Sequence, residues 1–221
     1  MAFEVIRKKP AKATSEKAIR TLLEKHACPI AFHEVRTRFL GSIATPGLSI
    51  SPMRTVAGLW GGEMPKFDSL EDANALLEAL VQGLWNDLTL HQKRSQPFRL
   101  MRLPMEPTAE NLGQYGLIRL EELGGFIEEL FNGEDEIELP ERAHEAVENL
   151  CELRAIMGGL HELVSRDPNV GDDLPELEAT FRQMRELTRI METEIHEAVL
   201  SCTRARRQIP AGILTTRSAM H

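Results

Sequence analysis

The sequence predicts an all-α fold: a helical domain followed by a long C-terminal antiparallel helical hairpin. Three observations predict it. Apolar residues recur at steps of three and four through most of the 221 residues. Leucine, alanine and glutamate are plentiful while aromatic residues make up only 5%, and unbranched side chains lose little rotamer freedom in a helix. No period-two alternation of any length is present. With 42% hydrophobic and 27% charged residues, the composition is that of a globular chain, long enough to bury about 70% of its unfolded surface.

Residues 1–13 read as a flexible basic tail. Thr14 or Ser15 caps a short helix with Ile19, Leu22 and Leu23 on one side. Pro29 separates it from a second helix, where Phe32, Val35, Phe39 and Ile43 recur at helical spacing. Thr45-Pro46-Gly47 stops that helix, because proline lacks an amide proton and glycine accepts a left-handed turn. Ser51-Pro52 starts the next, with Met53, Val56 and Trp60 facing inward. In Gly58-Leu59-Trp60-Gly61-Gly62 the glycines follow a helix instead of preceding one, and Glu63 would repel a phosphate. The pair therefore reads as a helix terminator that holds Trp60 in the core on Phe39, Leu84 and Phe126.

Asp68 and Ser69 cap a long helix with Leu70, Ala73, Leu77, Leu80, Leu84 and Leu88 along one stripe and Trp85 beside it. Residues 96–107 hold three prolines and read as a connection. Thr108 caps a helix carrying Leu112, Gly116, Leu120, Leu123, Ile127 and Leu130, its first turns weakened by Gly113 and Gly116, and Asn132-Gly133 closes it. The segment 14–132 forms the helical domain. The hairpin covers 139–206. Its first arm opens at Pro140 with Ala143, Val147, Leu150, Met157, Leu160 and Val164 on one face, and Gly158-Gly159 predicts a kink or a close helix crossing. Asp172 and Asp173 favour the start of the second arm. That arm carries Leu177, Phe181, Met184, Leu187, Met191, Ile195, Ala198 and Cys202, and at 1.5 Å per residue it is about 50 Å long. The two arms pair either within one chain or between two. Residues 207–221 read as a second flexible tail.

The net charge of −8 is uneven: residues 1–40 hold nine Lys/Arg against four Asp/Glu, and residues 106–178 hold four against twenty. Phosphates repel such a chain, which disfavours nucleic acid as a partner and leaves only the basic ends as contacts for it. No apolar run reaches the roughly 20 residues of a membrane span. No signal peptide is apparent, and three scattered cysteines, Cys28, Cys151 and Cys202, suit a reduced cytoplasmic chain.

Candidate chemistry is sparse. His26, Cys28 and His33 offer three metal ligands without a second pair at finger-like spacing. Glu141 and His144 form one Glu-x-x-His unit, whereas a di-iron bundle uses two such units and two further glutamates. The adjacent acids Glu121-Glu122 and Glu128-Glu129 read as a solvated rim, since sequence neighbours on a helix point about 100° apart. The thiols lie on or beside apolar stripes or next to a proline, as inert packing does.

The run Arg38-Phe39-Leu40-Gly41-Ser42-Ile43-Ala44 with Pro46, then Pro52 and Trp60-Gly61-Gly62-Glu63 with Pro65 and Phe67, resembles the YecA/YgfB-like family of uncharacterised bacterial proteins. Asn86 after Trp85 and Gly125-Phe126 extend the likeness over about residues 33–130. Thr37 and Arg38 stand where many relatives carry histidine, and the cysteine-rich zinc module of some relatives has no counterpart. The resemblance implies a mostly helical fold and, from one branch, a regulatory, protein-binding role.

The function expected is a non-catalytic cytoplasmic adaptor or regulator acting through protein–protein interaction, with no catalytic, cofactor or metal residue and no cofactor assigned. Its partner is another protein, or a second copy through the C-terminal helix, and no membrane is involved. The alternative is a metal-dependent enzyme or metal-binding protein whose site assembles from the scattered His, Glu and Cys residues.

Overall fold

The computed structural model of the chain describes residues 15–47, 51–104, 106–134, 137–166 and 174–208. Among them every regular element is helical, as the sequence predicts. The order is α1 (Glu16–Lys25), α2 (Phe32–Ala44), α3 (Pro52–Gly58) and α4 (Leu70–Leu77), then a π-helical segment, Glu78–Trp85, leading into α5 (Asn86–Thr89). A single 3-10 turn, Leu90–Gln92, comes before an extended connection, and α6 (Ala109–Phe131), α7 (Glu141–Arg166) and α8 (Leu174–Gln208) complete the fold. The tail 1–13, the Asp172-Asp173 start signal and the end of the second tail lie outside the described residues.

Local chemistry sets the helix ends. The hydroxyls of Ser15, Ser51, Ser69 and Thr108 accept from the amides of Ala18, Arg54, Asp72 and Asn111 at 3.3, 3.4, 3.1 and 3.1 Å, each satisfying an amide that has no partner within its helix. Behind α3, the Gly62 amide donates to the Ala57 carbonyl at 3.0 Å and the Gly61 amide to Gly58 at 3.2 Å. Both glycines have positive φ, 78° and 103°. That is the double closure of a helix end, so the pair terminates a helix as expected.

Helix α6 is the axis of the molecule. α2 lies along it in the same direction: His33 meets Glu121, and Arg38 meets Glu128 and Glu129. α7 returns antiparallel on another side, and α8 runs back against α7, with Arg142 near the start of α7 bonded to Glu194 at 3.2 Å. Backbones touch at two crossings. A Cβ on Gly41 would strike the Phe126 carbonyl and lie 3.0 Å from the Leu130 nitrogen. One on Gly116 would stand 2.9 Å from the Met157 oxygen and 3.0 Å from the His161 nitrogen. The expected crossing of α7 is therefore made by Gly116 of its neighbour. Gly158 has only an ordinary 3.5 Å contact with Leu120, Gly159 has none, and α7 is one continuous helix.

Several expectations need correction. Trp60 is only half-buried, and Leu59, 1% exposed, takes the core position. The last turn of α3 tightens through Leu59-to-Val56 and Trp60-to-Ala57 bonds, which turns the indole to the rim. There its Nε1 donates to the His26 carbonyl at 2.9 Å. Met53 faces solvent at 45% exposure. The buried indole is that of Trp85, edge-on to Phe39 at 5.8 Å. The π segment explains this: its wider turns shift the phase of the helix, so no single 3.6-residue stripe runs its length. Leu76 replaces Leu77 in the core and Leu70 is 72% exposed. Residues 97–104 are more than a link, since Phe98 and Leu100 are buried while Arg99 points outward. Glu122, expected on a solvated rim, is fully buried. The α8 stripe is covered within the chain: Leu177, Phe181, Met184, Met191, Ile195, Ala198 and Cys202 are all buried in the one core that the helices share.

Replacing Trp85 by alanine is expected to cost about 3–5 kcal/mol, and Trp60→Ala about half as much, because a ring partly open to solvent leaves a smaller void. Denaturant melts of the two variants check the order.

Candidate functional site

The polar chemistry of the molecule converges on the extended strap that follows the 3-10 turn. A chain segment outside helices must satisfy its backbone groups some other way, and here side chains do it. The Glu192 carboxylate accepts from the Leu100 amide at 3.1 Å, and Glu122 accepts from the Met101 amide at 2.9 Å. Arg36 donates to the Arg99 carbonyl at 2.9 Å and Arg119 to the Met101 carbonyl at 2.7 Å. Arg119 and Glu122, one helical turn apart on α6, also form an ion pair with both side chains buried. Burial pushes the Glu122 carboxyl above its usual range, and the adjacent Arg119 charge opposes that shift. Phe98 anchors the start of the strap under the Arg36 guanidinium, 4.9 Å from the ring centre, and edge-on to His91 at 5.3 Å.

Fastened in this way, the strap forms one wall of a cleft of about 590 Å³, within the usual range of ligand sites. α8 forms the opposite wall and α6 the floor. Five arginines line it: Arg99 and Arg102 from the strap, Arg119 from α6, and Arg185 and Arg189 from α8. The one carboxylate in the lining is Glu192, which is paired with Arg99. Arg102 and Arg185 have no ion pair or hydrogen bond among the described residues, and Arg189 meets Glu186 in an exposed surface pair. Arg119 is 3% exposed, and its Nε has no partner although it is shut off from solvent. The Tyr115 ring packs beside it, with its hydroxyl donating to the Met184 carbonyl at 2.7 Å and touching that of Thr188.

Guanidinium groups stay charged at every ordinary pH and act only as donors. A cleft built from them attracts and orients anions, carboxylates above all, through paired N–H···O bonds. In a chain of net charge −8 the concentration is local and runs against the overall field.

The residues singled out for metal binding are not brought together. His26 faces Asp72 at 3.4 Å and the Phe67 ring, Cys28 Sγ points at the Ile30 carbonyl at 3.6 Å, and His33 bonds to Glu121 at 2.6 Å. His144 lies exposed beside Glu148, not Glu141. Among the described residues no group of three His, Cys, Asp or Glu side chains could hold a metal ion. The three thiols are free, and burial pushes that of Cys202 up to about 11. The reading of the cysteines as packing fits this for Cys202, whereas Cys151 is exposed. No helix among the described residues is long and apolar enough to cross a membrane.

Sequence reasoning missed the cleft. Its signal was present in Arg99-Leu100-Met101-Arg102-Leu103 and in the three- and four-residue steps of Arg182, Arg185 and Arg189. Comparison with known proteins adds nothing to this geometry: no family model matches the chain, and no curated protein or solved structure matches it at a significant level.

Replacing Glu122 by glutamine keeps an acceptor for the Met101 amide but leaves the Arg119 charge buried and unpaired. The expected cost is about 3–5 kcal/mol, read from urea denaturation of the purified variant.

Proposed function

We propose that this protein is a non-catalytic regulator or adaptor that works by binding another protein, and that it holds an acidic segment of that partner in the arginine-lined cleft. The observation that carries the reading is the lining itself: five arginines against one already-paired carboxylate. Such a lining suits holding an anion far better than moving a proton, because an arginine has none to give at ordinary pH. The other polar side chains of the lining, the Tyr115 and Thr188 hydroxyls and the Glu192 carboxylate, are committed to backbone groups. The resemblance of residues 33–130 to the YecA/YgfB-like proteins, one branch of which is associated with regulatory binding, supports the same role. We place the protein in the cytoplasm, in keeping with its three free cysteines. A second copy would have to dock on a face other than the covered stripe of α8. The metal-dependent reading has no clustered ligand set to rest on among the described residues.

The test reverses the charge of two exposed arginines, Arg185→Glu with Arg189→Glu, in the full chain. Tagged wild type purified from its native cells is expected to carry a partner protein whose yield falls at least about tenfold in the double variant and falls with added salt. Equal recovery by both proteins contradicts the reading, once a thermal melt shows that the variant folds.

A further inference from the structure

We propose that the cleft reads a pattern: an extended peptide with acidic side chains at every second position and apolar ones between them. This deepens the binding role proposed above and rests on it.

Shape is the first argument. Beside the cleft, and sharing Arg185 with it, lies a second hollow of about 250 Å³ lined by Arg182, Phe181 and Pro107. Together the two hollows border α8 from Glu178 to Glu192, about 21 Å of helix axis at 1.5 Å per residue. That length takes about six residues of extended chain at roughly 3.3 Å each. A compact anion would fill only part of it.

Spacing is the second. Arg182, Arg185 and Arg189 follow the three- and four-residue steps that keep side chains on one helix face. From Arg185 to Arg189 the axis rises about 6 Å. Two residues of extended chain advance about 6.6 Å, and their side chains share a face. The step from Arg185 to Arg189 therefore matches the step between every second side chain of a bound strand. The alternate side chains point the other way, toward the strap, where Leu100, Met101 and Leu103 line the cleft beside Arg102 and the Glu192-paired Arg99.

Charge is the third. Carboxylates stand at both ends, Glu178 and Glu192, and residues 106–178 carry twenty acids against four bases. A short acidic strand fits between these carboxylates, whereas a longer polyanion such as nucleic acid runs on into like charge. On the floor, the unpartnered Nε of Arg119, in a side chain 3% exposed, is a donor that the fold leaves without an acceptor.

Fluorescence anisotropy of the full chain tests the pattern with two labelled heptapeptides of one composition. Ser-Glu-Val-Glu-Leu-Glu-Ser alternates its acids, and Ser-Glu-Glu-Glu-Val-Leu-Ser groups them. The alternating peptide is expected to bind about tenfold more tightly, and Arg185→Ala or Arg189→Ala, both at exposed positions, to weaken it several-fold. Inorganic phosphate is expected not to displace it. Equal affinity for the two peptides, or no binding of either, overturns the pattern while leaving the co-purification result standing. Displacement by phosphate overturns it in favour of a compact anion. Tighter binding of an oligothymidylate, lost in the same variants, overturns it in favour of nucleic acid.

Discussion

The buried ion pair between Arg119 and Glu122 is the constraint around which the rest is arranged. Both residues sit on the central helix α6, and both reach past their own pair to the backbone of the strap, at Met101. A buried pair of this kind contributes little net stability, because desolvation of the two charges offsets much of their attraction. What it contributes is position. The strap has no strand partner among the described residues, and its amides and carbonyls would be costly to bury without acceptors and donors. Glu122, Arg119, Glu192 and Arg36 supply them from three different helices. The connection thereby becomes a fixed wall, and the cleft exists because that wall stands off α8.

The same arrangement accounts for the electrostatics. The chain carries a net charge of −8, and several of its arginines are neutralised close to home. Arg38, for example, is held by Glu34, Glu128 and Glu129 where α2 meets α6. In the cleft Arg99, Arg119 and Arg189 are paired as well, with Glu192, Glu122 and Glu186, while Arg102 and Arg185 have no ion pair among the described residues. Glu122 lies beneath the strap, bonded to the Met101 amide, and Glu192, in the lining, bonds to the Leu100 amide. The guanidinium groups that remain face a hollow with few counter-charges in it. In a partly water-excluded cleft their attraction for an anion exceeds that of the same groups on an open surface.

What was legible in the sequence was local. Ser15, Ser51, Ser69, Thr108 and Asn132-Gly133 each mark a helix end through three or four consecutive residues, and each does so in the structure. The stripes of α2 and α8 were legible because 3.6-residue periodicity holds along both. The helical period failed where the helix itself changes: the π segment shifts the phase, draws Trp85 inward and leaves Leu70 outside. Trp60 was misplaced because the tightening of the last turn of α3 depends on how the two glycines close it. The burial of Glu122 was illegible for a different reason. Adjacent acids on a helix look solvated until a distant segment lies across one of them. The candidate cleft was missed for the same reason: its arginines are visible in three separate stretches, but only the folded strap brings them together.

The central claim, that side chains of α6 and α8 pin the strap, is tested most directly by native-state hydrogen exchange at single-residue resolution. The account predicts that the amides of Leu100 and Met101, which donate to Glu192 and Glu122, exchange as slowly as those in the middle of α6. Exchange at the rate of an open loop would contradict it.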